Sequence, residues 1–392
     1  MRIYKCSQIL PIVALALFSS GAAQAGLVPP GGIVPKPGNS FPGCEVTAPE
    51  TSDFRSTLRP GWQNASATVQ KMLITSDSQA FRVKARADGS EEFNSTKWKR
   101  VTHGLADILR AERAGGHYVP LIVNGDITEY GHGGERSAFR QFITRTLTVK
   151  SGTPGGPLFF PGLGNHDYDQ NVGNCANNGC ARDAVCDHII WTKAIERQAQ
   201  RFNFDHTYAN GRHTGSLSYS FDVGKVHVVQ LNNEPTYTTY FETGGQLGAK
   251  GSKRRFNITA SMNWLRKDLA DAKARGQYTI INLHKPGGWQ DSDVYNRQFK
   301  QLIEQNRVVA VFAGHYHRNL GKQDYSAYGK VPIFLSGAIM HNNYLRVMFD
   351  WRAYSMRVEW FDGRTLKGSH TQKLEQFVPP PTTKPITIPV GK

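Results

Sequence analysis

The sequence predicts an α/β sandwich built around a mixed sheet. Three observations carry this reading. Short apolar runs dense in Val, Ile and Phe recur along the body of the chain, separated by longer stretches of helical character. Several of these runs are continuous, as strands buried on both faces must be. After residue 340 the pattern changes, and 344–349 and 355–361 read as antiparallel strands that extend a sheet. The 392 residues, 39% hydrophobic and 20% charged, exclude a fibrous or fully disordered chain.

The elements follow in order. Arg2 and Lys5 precede an apolar run from Ile9 to Phe18 and small residues ending in Ala23-Gln24-Ala25. This order predicts a signal peptide at 1–25, cleaved after Ala25, and an exported protein, periplasmic or secreted. The run is too short to span a bilayer comfortably, and no later segment is long and apolar enough, so no stable membrane insertion is expected. Residues 26–60, rich in Pro and Gly, read as a linker or wrap. Residues 61–377 form the body, and 378–392, with Pro379-Pro380-Pro381, a Pro-rich tail. Within the body the strands are 72–75, 121–123, 158–160, 226–231, 278–283, 308–313 and 333–335. The helices are 97–113, 259–275 (capped by Asn257 or Thr259) and 293–306. Residues 215–231 read as a β-hairpin. The loops 127–150, 168–214 and 234–258 show no readable pattern.

Export changes the meaning of the cysteines. Cys6 leaves with the signal peptide, and Cys44, Cys175, Cys180 and Cys186 remain. An even number in an oxidising compartment predicts two disulfides, with three pairings open. The alternative is a zinc knuckle at 175–186, whose spacings are looser than the usual Cys-x2-Cys. The formal net charge of +16 attracts anions, whether nucleic acid, anionic lipid or phosphorylated small molecules. A generally basic, solvated face explains it equally well. The sequons at Asn64, Asn94 and Asn257 matter only in a eukaryotic secretory pathway.

The polar residues cluster behind the strands. Ser76-Asp77-Ser78-Gln79 follows the first, Asn124-Gly125-Asp126 the second, and Gly164-Asn165-His166-Asp167 the third. His284 follows the run 278–283, and Gly314-His315-Tyr316-His317 the run 308–313. Ligands of open α/β sheets bind beyond the carboxyl ends of the strands, so these clusters converge. Their oxygen and imidazole donors suit Zn, Mn or Fe and are too nitrogen-rich for calcium. Asp77, Gln79, Asp126, Asn165, His284, His315 and His317 are too many for one tetrahedral ion. They suit two ions sharing a carboxylate, the arrangement that activates water and clamps a phosphoryl group. Gly125, Gly164 and Gly314 each precede a candidate ligand, where a sharp turn needs unusual backbone angles.

Gly125-Asp126, Gly164-Asn165-His166-Asp167, His284 and Gly314-His315-Tyr316-His317, in this order, resemble the signature of the calcineurin-like metallophosphoesterases over roughly residues 70–340. The resemblance implies a four-layer α/β/β/α sandwich with mixed sheets. It also implies a two-metal phosphoesterase, phosphatase or phosphodiesterase, in which activated water attacks phosphorus, here in a chain whose leader predicts export. Asp126 would bridge two divalent ions, Asp77 and His317 would bind the first, and Asn165, His284 and His315 the second. His166 would contact the phosphate or protonate the leaving group, with Asp167 orienting it. The first motif, usually Asp-x-His, is Asp77-Ser78-Gln79 here, and a neutral amide is a poorer ligand than imidazole. Purple acid phosphatases carry Tyr three residues after the bridging Asp. That position is Glu129 here, followed by Tyr130, so a ferric tyrosinate site is not expected.

Other polar residues have plainer readings. His132, His188, His206 and His213 read as surface or loop residues, with His188 the one best placed to approach the site. Arg136, Arg182 and Arg318 are candidate phosphate clamps without distinguishing context. Asn232-Asn233 reads as a turn that borders the pocket. The expected substrate is a phosphomonoester or diester: a nucleotide, cyclic nucleotide or phospholipid head group. The competing reading is a non-catalytic basic protein on the same fold that holds anionic lipid or nucleic acid, with salt-sensitive binding and no turnover.

Overall fold

The computed structural model describes residues 43–44, 62–64, 68–114, 118–147, 159–170, 172–197, 199–244 and 253–376. The predicted signal peptide, its cleavage point and the tail at 378–392 lie outside these residues, as does the 26–60 segment except Gly43 and Cys44.

Two mixed sheets face each other. The first runs, strand against strand, Thr365–Lys373, Ser355–Asp362, Asn343–Asp350, Val69–Thr75, Leu121–Val123 and Phe159–Pro161. Its last three strands are parallel, and Asn343–Asp350 joins Val69–Thr75 antiparallel. The second runs Leu320–Gln323, Ile333–Ser336, Val308–Ala313, Tyr278–Leu283, Val226–Gln230, Tyr219–Val223 and Phe202–Phe204. Its centre, from Ile333–Ser336 to Val226–Gln230, is parallel. Tyr219–Val223 and Val226–Gln230 form the predicted hairpin.

Side-chain alternation along the strands makes the layers. Met72, Ile74, Ile122, Phe160, Leu345 and Val347 of the first sheet point inward against Val226, Val228, Ile280, Ala310 and Phe312 of the second. The opposite face of the first sheet, Leu73, Leu121, Val123 and Phe159, packs on the helices Ser95–Arg113 and Gly133–Leu147 through Trp98, Leu105, Phe139 and Phe142. The opposite face of the second, Val229, Ile281, Leu283 and Val311, packs on Met262–Ala274 and Phe299–Gln305 through Leu265, Leu269, Phe299 and Ile303. The result is the α/β/β/α sandwich. Strands covered on both faces explain the unbroken apolar runs in the sequence.

Several boundaries moved. The third strand, Phe159–Pro161, runs one residue past the expected end at 160. Asn257 lies inside the strand Arg254–Ile258, so it does not cap the following helix, which starts after Ser261. The segment predicted as one helix at 293–306 opens with a π-helical turn, Val294–Gln298, before Phe299–Gln305. Two helices were missed. One is Gly133–Leu147 and the other Gly179–Glu196, within a stretch read as patternless loop. Asn94, besides forming a sequon, caps Ser95–Arg113 by accepting from the Lys97 N–H at 3.0 Å.

The cysteines pair as Cys44–Cys186 and Cys175–Cys180, which removes the zinc-knuckle alternative. Two disulfides belong to the chemistry of an oxidising compartment. No helix among the described residues is long and apolar enough to cross a membrane.

Candidate metal centre

The parallel strands of both sheets end at one edge of the sandwich, and the polar clusters gather there. The strand ends are tied by backbone bonds: Asp77 N–H donates to Gly125 O, Gln79 N–H to Asp126 O and Gly314 N–H to His284 O, each at 3.0 Å. Asn124 links the sheets, its Nδ2 donating to Phe312 O at 3.2 Å. The chain turns sharply to present its side chains. Asp77, Gln79, Asp126 and His315 all adopt positive φ, of 50°, 25°, 49° and 70°. Such non-glycine residues concentrate where function imposes the conformation.

The glycines contribute in two ways. Gly125 has φ of 80°, as the unusual-angle argument expected. Gly164 and Gly314 do not lie at positive φ. They are small because a Cβ on Gly164 would collide with the Asp126 carboxylate, and one on Gly314 with Ser76 and Asp77. Close approach is the reason for glycine at these two positions.

Two ligand-like groups meet at Asp126. Atoms of Asp77, Asp126 and His317 lie within 4.8 Å of one another, and so do atoms of Asp126, His284 and His315. His284 Nδ1 donates to Asn124 O at 2.8 Å, which turns Nε2 toward Asp126 Oδ2 at 3.1 Å, Asn165 Oδ1 at 3.2 Å and His315 Nδ1 at 3.3 Å. On the other side His317 Nε2 stands 3.5 Å from Asp77 Oδ1. The outer oxygens are already held: Asp77 Oδ2 accepts from His315 N–H at 3.0 Å, and Asp126 Oδ1 from His166 N–H at 2.9 Å.

These residues fit a pair of cations. Asp77 Oδ1, whose nearest cationic group is His317 Nε2 at 3.5 Å, and both amide atoms of Gln79 are fully buried with no hydrogen-bond partner. A buried carboxylate oxygen left so is costly, and a cation satisfies it. The protonation of the protein alone says the same. Against the upward push of burial, His284 holds Asp126 at about 2. Against burial, Asp126 lifts His284 to about 9, while Asp77 and Glu91 lift His317 to about 10. Burial and the neighbouring His284 push His315 down to about 4. Protons on His284 and His317 stand in for positive charge that the carboxylates call for, while His315 stays neutral.

His166 lies at the rim, about a third exposed. Its Nδ1 donates to Glu129 O at 2.8 Å, so a proton on Nε2 makes the ring cationic. Although burial opposes it, Asp126 and Glu129 raise its affinity for that proton. Asp167 occupies a different place. Its buried carboxylate accepts from Gly164 N–H at 2.9 Å and from Ile127 and Thr128 N–H at 3.2 Å each. It therefore clamps the 126–128 turn to the 164–167 turn, and no hydrogen bond joins it to the His166 ring among the described residues.

The remaining candidates separate. His132 Nε2 pairs with Gly173 O at 3.1 Å, His188 Nε2 with Leu217 O at 3.1 Å, and His206 with His213 at 3.0 Å. Arg136 is held by Asp183 at 3.0 Å and Asp187 at 2.8 Å, and Arg182 by Asp183 at 2.7 Å. Arg318 borders the mouth of the site, a cavity of about 490 Å³ that Arg82, Glu91, Tyr316 and His317 also line. Asn232 is a buried turn residue at φ 59° whose Oδ1 accepts from Leu163 N–H at 3.1 Å, and its carbonyl accepts from His284 N–H at 2.7 Å.

Sequence reasoning missed Glu91, His341 and Arg82. Glu91 Oε1 accepts from His317 Nδ1 at 2.9 Å and is 3.0 Å from His341 Nε2. Arg82 bridges Glu91 Oε2 at 3.3 Å and Glu129 Oε1 at 2.9 Å. No local pattern marks them, because they meet only in the folded chain.

A family model described as calcineurin-like phosphoesterase matches residues 71–319. Over 109 residues the chain is 30% identical to purple acid phosphatase 23 of Arabidopsis thaliana, a match covering 26% of this chain and 20% of that protein. The chain thus spans about a fifth of the length of this curated relative. Among solved structures, the calcineurin-like phosphoesterase YfkN from Bacillus subtilis is similar over 78% of this chain and 90% of its own, at 14% identity and a TM-score of 0.32. A mutant of a cold-active protein tyrosine phosphatase is similar over 80% and 85%, at 11% identity and a TM-score of 0.33.

Proposed function

Because this chain belongs to the calcineurin-like phosphoesterase family, we propose that it is an exported two-metal hydrolase of phosphomonoesters or phosphodiesters. The observation that carries the reading is the pair of ligand groups sharing Asp126, with His166 at their rim. Bound divalent ions, Mn, Zn or Fe, would supply a lowered water pKa and a clamp for phosphoryl charge. Asp77, Gln79, Asp126 and His317 would hold one, and Asp126, Asn165, His284 and His315 the other.

The protein's own groups do the rest. Asn124 holds the His284 tautomer and so the direction of its Nε2. Asp167 fixes the two turns that carry Asp126 and His166. His166, anchored through Nδ1, presents Nε2 to a substrate oxygen and would hand its proton to the leaving group. A second cavity, of about 410 Å³, shares Arg318 with the mouth and is lined by Lys84 and Lys367 together with Asp88 and Asp362. The basic charge of the chain as a whole favours a phosphorylated small molecule such as a nucleotide, cyclic nucleotide or phospholipid head group. Two disulfides and the predicted leader at 1–25 support export.

The test is metal content by elemental analysis, with hydrolysis of p-nitrophenyl phosphate and bis-p-nitrophenyl phosphate before and after chelation. About two metals per chain, with turnover lost on chelation and restored by metal, is the expected outcome. The better ester decides between phosphatase and phosphodiesterase. Absence of both metal and turnover after supplying Mn, Zn and Fe would favour the non-catalytic basic binding protein, the reading motivated by the +16 charge and by Gln79.

A further inference from the structure

The His317 side of the centre is chemically the poorer one. Its group is Asp77, the shared Asp126 and one imidazole, His317, whereas the other side has two imidazoles, and the further donor expected here, Gln79, is a buried neutral amide. Three separate elements converge behind His317. The strand Glu91–Phe93 pairs with Arg82–Lys84 and brings Glu91 to His317 Nδ1 at 2.9 Å. The turn Ile339–His341 hooks onto the strand end before Asp77, Ile339 N–H donating to Ser76 O at 2.8 Å, and brings His341 Nε2 to the same Glu91 oxygen at 3.0 Å. Arg82 holds the other Glu91 oxygen at 3.3 Å, and its second nitrogen holds Glu129 at 2.9 Å. Glu91 is thus held against His317 by two further partners. It is also the only carboxylate within hydrogen-bond reach of that ring's Nδ1 among the described residues.

We propose that Glu91 is the positioning carboxylate of the Asp77/His317 metal site, fixing His317 as an Nε2 donor and compensating for the amide of Gln79. A carboxylate on the remote nitrogen of an imidazole sets the tautomer and ring plane and raises the basicity of the nitrogen facing the metal. His341 and Arg82 hold the carboxylate in turn. Glu91 touches neither substrate nor metal in this assignment and acts through His317 alone. The inference rests on the two-metal reading and specifies how one half of that centre works without its usual second imidazole.

The test is titration of the chelator-stripped protein with cobalt(II), followed by visible absorption and calorimetry, with thermal unfolding as the folding control. Wild type is expected to take up two equivalents. Glu91→Gln, isosteric and still able to accept from His317, should weaken one equivalent about 10- to 100-fold and leave the other unchanged. Glu91→Ala should weaken it at least as much. Adding Gln79→His to Glu91→Gln should restore much of the lost affinity, which a merely structural role for Glu91 would not predict. Unchanged affinities in Glu91→Gln and Glu91→Ala would overturn the proposal while leaving the two-metal reading intact. So would equal weakening of both equivalents together with a drop in unfolding temperature. Failure of wild type to bind cobalt at all would instead remove the two-metal reading, and this proposal with it.

Discussion

At the residue scale, Asp126 and His166 have separable jobs. Asp126 belongs to both ligand groups, so Asp126→Ala should abolish chelator-sensitive turnover while circular dichroism and the unfolding transition persist. Retained hydrolysis in that variant would contradict the shared-carboxylate assignment. His166→Ala should lower kcat about 10²- to 10⁴-fold on an ester with a poor leaving group, the usual contribution of a general acid. The loss should shrink on a p-nitrophenyl ester, whose leaving group departs without help. Equal losses on both esters would make His166 a phosphate-binding group instead.

At the element scale, the turns that end the strands carry the strain, and the disulfides carry the long-range tie. Gly125 sits at φ 80°, where a Cβ would also meet the Gly164 backbone. Gly125→Ala should therefore destabilise the protein by about 1–3 kcal/mol or more, measured by denaturant unfolding. Cys44–Cys186 closes 142 residues of chain and Cys175–Cys180 closes 5. Replacing the first pair by serine should lower stability by about 2–5 kcal/mol, and replacing the second by less, because loop-closure entropy grows with loop length. The helix Gly179–Glu196 explains why its element was illegible. Cys180, Ala181, Ala184, Cys186, Ile189 and Ala194 are buried around most of its circumference, so no polar stripe reveals the period. For Gly133–Leu147 a signal did exist in Ala138, Phe139, Phe142 and Ile143, at helical spacing.

At the scale of the whole molecule, stability should fall in acid. His188 is buried, and burial pushes its pKa down to about 4, against about 6.5 in an unfolded chain. The unfolded state then binds more protons between those values, so this contribution is present above pH 6.5 and is lost as pH falls toward 4. The loss is about 3 kcal/mol for His188, and His206, held down to about 3 by burial and His213, acts in the same direction. Denaturant midpoints of chelated protein from pH 7 to 4.5 check this, and His188→Gln should flatten the slope. His227 has the opposite sign. Although burial opposes it, Asp222 and Asp268 raise its pKa, so its contribution is fully present below pH 6.5 and is lost as pH rises through the folded value. Chelation at neutral pH should lower the unfolding temperature, since metal bound only to the native state stabilises it by about 2.7 kcal/mol at a hundredfold excess over Kd.

The sequence by itself determined the sandwich and the clusters at the strand ends. A strand covered on both faces must be apolar throughout, so Tyr278–Leu283 and Val308–Ala313 stand out in one dimension, and the polar residues just beyond each run mark the open edge of the sheet. Tertiary structure alone decided which cysteines pair, why Gly164 and Gly314 must be small, and that Asp167 clamps backbone instead of His166. It alone brought Glu91, His341 and Arg82 behind His317, across separations of 226 residues for the Glu91–His317 bond and 250 for Glu91–His341. Hydrophobic periodicity is a property of neighbours along the chain, whereas a hydrogen bond between distant residues depends on how the layers stack, and no local pattern encodes that.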